Sequence, residues 1–243
     1  MFYSKIIITV LNFLDYFQQK KIIKLINKKF LNPIVIFDVG AHYGESIKLF
    51  NKELKIKKIY SFEASSKNYE ILQKNILKYD SKKVETFNYG IGKEISQSYI
   101  NQTLESSSST INELNENSKY LEKKLKILNI KNKKSFQYKI PIRLITLDYF
   151  IEKNKIENID LLKIDTEGYE FNVLKGLSKQ NQKIKLVYFE HHYDDMIVKN
   201  YKFGDIHQLL KSFGFVMIKK SKMLFRKSFE YVYENQKMIN NLE

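Results

Sequence analysis

Apolar residues arrive in short bursts along this chain of 243 residues, and their spacing changes from burst to burst. Over residues 4–30, Ile22, Ile23, Leu25, Ile26 and Phe30 recur among lysines at helical spacing, which predicts an amphipathic helix. Pro33 ends it. Ile34-Val35-Ile36-Phe37-Asp38-Val39 is then almost continuously apolar, the pattern of a strand covered on both faces in a parallel sheet. The alternation continues. Residues 58–62, 84–89, 159–165, 185–190, 215–218 and 229–233 read as strands, and residues 45–50, 68–79, 169–177 and 205–211 as helices. Residues 142–148 read as an extended segment that opens a helix near Tyr149.

Strand, turn and helix in this rhythm predict βαβ units and one doubly wound α/β domain over residues 34–243, behind a helical extension at 1–33. The rhythm fails at about 106–135. There the polar run Ser106-Ser107-Ser108-Ser109-Thr110 reads as a loop, and the Lys/Asn/Glu-rich stretch 112–134 as a helical insertion.

Composition narrows the chemistry. With no cysteine there are no disulfides, no thiol nucleophile and no Cys-ligated zinc. The net charge of +15 suggests an acidic partner, but of 42 basic residues only Arg143 and Arg226 are arginine. Phosphate and base recognition favour the guanidinium fork, so a solvated lysine surface is the preferred reading and no nucleic-acid partner is expected. The apolar run at residues 6–11 is broken by Asn12 and Asp15, short of the roughly 20 residues a membrane span needs. No cleavage site follows it, so a cytoplasmic chain is expected, with packing on the core preferred over peripheral membrane contact for the leader.

Ligands of open α/β sheets bind beyond the carboxyl ends of the strands. The predicted strand ends carry Asp38, Gly40, Glu63, Asn88, Asp165, Glu167 and Glu190. So many carboxylates do not suit a phosphate. His42 also occupies the position of the second glycine of a dinucleotide fingerprint, where a Cβ crowds a pyrophosphate. Glu63 lies 23 residues after Gly40, near the offset at which an acid meets a ribose diol. An adenosine with a cationic tail and no phosphate fits these positions, and S-adenosylmethionine is such a molecule. Glu190-His191-His192 with Asp194 resembles a metal-ligand cluster, but neighbours on an extended segment point to opposite faces, so no metal site is assigned.

Four stretches in order resemble the FkbM family of S-adenosylmethionine-dependent methyltransferases, within the seven-stranded Rossmann-like class. They are Phe37-Asp38-Val39-Gly40-Ala41-His42-Tyr43-Gly44-Glu45, then Ser61-Phe62-Glu63-Ala64, then Ile145-Thr146-Leu147-Asp148, then Leu162-Lys163-Ile164-Asp165-Thr166-Glu167-Gly168-Tyr169-Glu170. The match runs from residue 34 to about 218. Ala64 departs from it, since proline is common there in the family.

The resemblance implies a cofactor site of Asp38, Gly40, His42, Gly44, Glu63, Asn88 and Tyr89. Asp38 and Gly40 belong to the methionine end, Glu63 to the ribose, and Asn88 and Tyr89 to the adenine edge. Asp165, Glu167 and His191 are the catalytic candidates. Asp165 would orient the acceptor hydroxyl, take its proton or stabilise the sulfonium, His191 (or His192) would serve as base, and Glu167 either joins them or caps the following helix. The implied reaction is methyl transfer to a hydroxyl, of a sugar in a glycan, glycolipid or secondary metabolite. The alternatives are an RNA methyltransferase, disfavoured because no N/D-P-P-Y/F stretch occurs, and a non-catalytic cofactor-binding scaffold.

Overall fold

The computed structural model describes residues 2–224 and 226–239. A long helix α1 (Phe2–Asn27) leads into β1 (Ile34–Val39), α2 (Glu45–Glu53), β2 (Ile56–Phe62), α3 (Ser66–Ile76) and β3 (Val84–Phe87). Two short-range strands follow, β4 (Gly90–Ile91) and β5 (Ser96–Thr103), then α4 (Lys119–Ile127) and β6 (Gln137–Ile145). The second half holds α5 (Leu147–Lys153), β7 (Ile159–Ile164), α6 (Glu170–Lys175), β8 (Ile184–His192), α7 (Phe203–Phe213), β9 (Phe215–Lys222), β10 (Ser228–Asn235) and α8 (Gln236–Ile239).

Seven strands form the main sheet in the order β3-β2-β1-β7-β8-β10-β9. The first five are parallel, whereas β10 runs antiparallel to both β8 and β9. The chain is thus the seven-stranded Rossmann-like α/β fold that the apolar pattern and the four stretches imply. Side-chain alternation divides the core. Phe37, Val39, Leu162 and Ile164 face α5, α6 and α7, while Ile36 and Leu161 face α1, α2 and α3.

The leader is part of this core. Ile22, Ile23 and Ile26 of α1 are buried against the sheet and α2, and such side chains contribute about 1.5–3 kcal/mol each. Lys20 also pairs with Glu53 at 2.9 Å, and Lys29 with Glu234 at 2.6 Å. Among the described residues no helix is long and apolar enough to cross a membrane.

The structure corrects the sequence reading at three places. Residues 90–92 are more than a turn, because β4, β6 and β5 form a second sheet of three strands beside the first. Its β5, Ser-Gln-Ser-Tyr-Ile-Asn-Gln-Thr, has no apolar run to announce it, yet Asn101, Gln102 and Thr103 are buried there. The stretch read as helical is helical only in its middle, with irregular chain on either side. Its one α-helix is α4, nucleated by Ser118, whose hydroxyl accepts the Leu121 N–H at 3.0 Å. Finally, β8 outlasts its expected end and carries His191 and His192 inside the strand.

Candidate active site

A cavity of about 800 Å³ opens at the carboxyl ends of β1, β2 and β7. One end of it is formed by the turn after β1. Gly40 sits at φ +84°, and a Cβ there lies 1.8 Å from the Asp165 carbonyl oxygen, so only glycine lets β1 and β7 close together. The Gly40 and Ala41 N–H groups donate to the Phe62 carbonyl at 2.9 and 3.0 Å, tying the turn to β2. His42 also has positive φ, and its ring stacks on Tyr43 and meets Ser106 Oγ at 2.7 Å. Gly44, at φ +93°, opens α2.

Glu63 closes this end. Its carboxylate is buried and accepts the N–H of His42 at 2.8 Å on one oxygen and of Ser65 at 2.9 Å on the other. Burial outweighs these bonds and pushes its pKa up to about 7. Asn68 Nδ2 also donates to the Ser65-bonded oxygen at 3.4 Å, so it is the oxygen facing His42 that keeps a second lone pair for a hydroxyl donor. Tyr89 lines the wall beside it, stacked on Phe87. Asn88 does not line the cavity; its amide donates to the carbonyls of Glu63 and Ala64 at 2.8 and 3.2 Å, holding the turn from behind.

Asp38 also lies beneath the cavity, fully buried. Ser46 Oγ donates to it at 2.6 Å, and Lys163 Nζ stands 3.3 Å from its other oxygen. Register explains the arrangement: Ser61, Asp38, Lys163 and Tyr188 sit side by side across β2, β1, β7 and β8 on the α1 face. Lys163 reaches the cavity floor and contacts Asp165 Oδ2 at 3.4 Å. Burial opposes the ammonium charge, but Asp38 and Asp165 overcome that and hold its pKa above the ordinary lysine value.

The far end gathers Asp165, Glu167 and Glu190 with Asp15, Tyr16, Tyr120, Lys124, Met223 and Arg226. Glu167 adopts φ +50°, with its backbone carbonyl bonded to Thr110 Oγ1 at 2.7 Å. Its carboxylate stands 3.4 Å from His192 Nε2, which is also 3.5 Å from Glu190. Asp194 meets the other ring nitrogen at 3.6 Å. Burial would lower the pKa of His192, but the three carboxylates carry it up to about 10, so it stands as a buried cation at neutral pH. Burial drives Glu167 the other way, up to about 7, against the pull of that cation.

His191 points to the opposite face of β8, packed among Tyr193, Tyr201 and Phe203, and does not line the cavity. Burial lowers its pKa to about 3. The histidine that joins the carboxylates is therefore His192, and period-two alternation from Glu190 was the signal that pairs the two on one face. Sequence reading also passed over Ser106, Ser107 and Ser109, which line the cavity, and over Asp15 and Arg226. Among the described residues, no group of three or more His, Asp or Glu is placed to hold a metal ion.

The donor set suits an adenosine with an amino-acid tail. A buried carboxylate with a free lone pair sits at one end, further carboxylates at the other, and His42, in the place of the second fingerprint glycine, sends its side chain across to Ser106.

The comparisons agree with this geometry. The model of the methyltransferase FkbM domain matches residues 38–217, and the chain belongs to that family. It is an S-adenosylmethionine-dependent methyltransferase. Among solved structures it is similar to the FkbM methyltransferase from Methylobacillus flagellatus KT, at 15% identity and a TM-score of 0.53. That similarity covers 83% of this chain but 44% of the other, so this chain spans less than half of that protein. It is also similar to M. capricolum TrmK in complex with S-adenosyl-homocysteine, at 15% identity and a TM-score of 0.50, covering 88% of this chain and 67% of that one. No curated protein matches it.

Proposed function

We propose that this methyltransferase acts on a hydroxyl oxygen, of a sugar or similar polyol in a small molecule or glycan. The observation that carries the reading is the far end of the cavity, where Asp165, Glu167 and Glu190 meet whatever enters. Carboxylates accept hydrogen bonds from hydroxyls and repel a phosphate backbone. Three of the cations there are already engaged: Lys124 with Glu105 at 2.6 Å, Arg226 with Asp15 at 2.6 Å, and Lys163 with Asp38 and Asp165. The chain's net charge of +15 favours RNA, but the cations that line this cavity, Lys123 among them, are interleaved with carboxylates.

S-adenosylmethionine, when bound, supplies an electrophilic methyl carbon carried on a sulfonium. Glu63 would hold its ribose diol, the Gly40–Gly44 turn its amino-acid end, and Tyr89 its adenine. Asp38 contributes from below by fixing Lys163. Asp165 faces the reacting region and orients the acceptor hydroxyl. Glu167 takes that hydroxyl's proton. A carboxyl held near pH 7 by burial is a stronger base than an exposed one yet is still ionised in half the molecules at neutrality, and such help is worth about 10²–10⁴-fold. The His192 cation stabilises the charged carboxylate between turnovers. Positioning of the acceptor supplies the larger share, up to about 7–11 kcal/mol.

The test is direct. Extracted glycans, glycolipids and total RNA are each incubated with the protein and methyl-labelled cofactor, and the products are read by mass spectrometry. Label on carbohydrate oxygen supports the reading. Label confined to RNA overturns it.

A further inference from the structure

The family domain, residues 38–217, leaves out α1 and the hairpin joining β9 to β10. Both excluded segments nevertheless reach the acceptor end of the cavity. Asp15, Tyr16 and Gln19 of α1 line it from one side, Met223 and Arg226 of the hairpin from another. They meet there: Arg226 donates an N–H of its guanidinium to Asp15 Oδ2 at 2.6 Å. A bond between Gln18 and Ser221, together with the Lys20–Glu53 pair, holds α1 in place on either side.

The pair is not saturated. Asp15 is 8% exposed, and its second oxygen Oδ1 has no hydrogen-bond partner; Arg226 Nε is buried and equally without one. Glu190, on the same wall, already faces the His192 cation at 3.5 Å. Buried polar groups left unpaired cost about 1–3 kcal/mol each, so such a grouping in a cavity wall is a standing demand for a ligand that pairs them. One vacant acceptor and one vacant donor on a mutually neutralised pair match two adjacent hydroxyls, one donating to Oδ1 and its neighbour accepting from Nε. An anionic group matches poorly, because it must displace Asp15 and sit beside Glu190 and Asp165. The charge on Asp15 already feels both: burial raises its pKa, Arg226 lowers it, and Glu190 and Asp165 raise it again.

We propose that Asp15 and Arg226 form a specificity site outside the family domain, which grips an uncharged vicinal diol of the acceptor and so selects which hydroxyl reaches Glu167. The proposal deepens the hydroxyl-transfer reading and rests on it.

The experiment uses the full chain loaded with S-adenosyl-homocysteine and three probes: the methyl glycosides of glucose, galactose and mannose. Saturation-transfer NMR reads their binding, and calorimetry reads the S-adenosyl-homocysteine affinity. At least one glycoside should bind the parent. Asp15→Asn and Arg226→Lys should each weaken that binding at least fivefold, with S-adenosyl-homocysteine affinity within threefold of the parent. The double variant should bind no more weakly than the weaker single one, because the two act as one unit. Should a variant lose S-adenosyl-homocysteine as well, Lys24→Gln, exposed on the same helix and away from the cavity, serves as the folding control, and the milder Asp15→Glu replaces Asp15→Asn.

Absence of glycoside binding by the parent, or binding by both single variants at the parental level, overturns the proposal. Failure of the hydroxyl-transfer reading looks different. The label would then settle on RNA, whatever the glycosides do.

Discussion

At the Glu63 end, the cavity is lined by residues that lie within a few positions of two strand ends; at the Glu190 end, it is lined by residues drawn from both extremities of the chain. Gly40 and His42 share a turn, His42 donates its N–H to Glu63, and β1 and β2 are neighbours in both sequence order and the sheet. Asp15, Glu167, Glu190 and Arg226 come from α1, the loop after β7, β8 and the β9–β10 hairpin. A site made from adjacent strand ends is bound into the fold itself. One made from a helix, a hairpin and an insertion can change its lining while the sheet stays as it is. The same molecule thus pairs a cofactor end that tolerates almost no alteration with an acceptor end where alteration mainly shifts what is bound and how fast it reacts.

The comparison is tested most severely at Gly40. Gly40→Ala puts a methyl group against the Asp165 carbonyl at a backbone angle that L-residues disfavour. Overpacking and the left-handed penalty together cost about 3 kcal/mol, which in a chain of this size lowers Tm by about 10 °C. Calorimetric melting should show that drop along with loss of cofactor binding, since β1 and β7 must part. A melting point within 2 °C of the parent's would mean that the turn yields where the geometry says it does not.

Glu167→Gln should act at the other end only. The amide keeps the shape but cannot take a proton, so turnover falls by about 10²-fold or more. Affinity for S-adenosyl-homocysteine stays within threefold. The pH profile sharpens this: in the parent, turnover rises with pH through about 7 as Glu167 loses its proton, and in the variant that limb disappears. Parallel loss of affinity and turnover would place Glu167 at the cofactor and merge the two ends.

How much of this was legible in the sequence follows the same division. The main sheet and the turn at Gly40 were readable because their signals are local: continuous apolar bursts, and rare glycines between strand and helix. The family match was readable for the same reason, through contiguous stretches. The second sheet was not, because β5 buries Asn101, Gln102 and Thr103. Their polarity reads as surface until one sees Asn101 donating to the Asn112 carbonyl and Gln102 bonded to Ser65. The insertion looked helical because lysine and glutamate favour helices, and α4 is its helix, but the chain on either side is irregular and packs with Leu121 and Leu125 around Leu114, Phe136 and Ile197. The Asp15–Arg226 contact carries no local signal at all. Two residues at opposite ends of a chain become partners only through where α1 lands on the sheet.

Glu63 offers a milder test of the cofactor end. Glu63→Ala removes the carboxylate that accepts two backbone N–H groups, along with the proposed ribose contact, and affinity for S-adenosyl-homocysteine should fall at least tenfold, at about 1.5–3 kcal/mol per charged hydrogen bond. The sign of the pH dependence follows from burial. Because the carboxyl of Glu63 ionises only near pH 7, it is mostly protonated at pH 6 and then offers one acceptor fewer. Calorimetry should find binding about tenfold weaker at pH 6 than at pH 8. The Glu63→Ala variant should show no such slope from this group. A parent whose affinity is flat across that interval would mean that the ribose is held elsewhere.

The smallest effect belongs to His191, and it tests whether the catalytic histidine is chosen by sequence proximity or by strand face. His191 and His192 are neighbours in β8, but His191 lies among Tyr193, Tyr201 and Phe203 on the far side of the sheet, with Nδ1 buried and unpartnered. Burial keeps it neutral throughout the working range, because its pKa lies near 3. Methionine fills an irregular apolar gap without leaving a polar atom unpaired. His191→Met should therefore leave turnover within threefold of the parent, and Tm unchanged or slightly raised. His192→Gln, one residue on, removes the cation between Glu167, Glu190 and Asp194 and leaves three carboxylates facing one another. Like charges then raise the pKa of Glu167 further, and the rise of turnover with pH should move to higher pH, by about one unit or more. Were His191→Met the variant that loses turnover and His192→Gln the silent one, the proton path would have to cross the sheet, and the acceptor end described here would be on the wrong face.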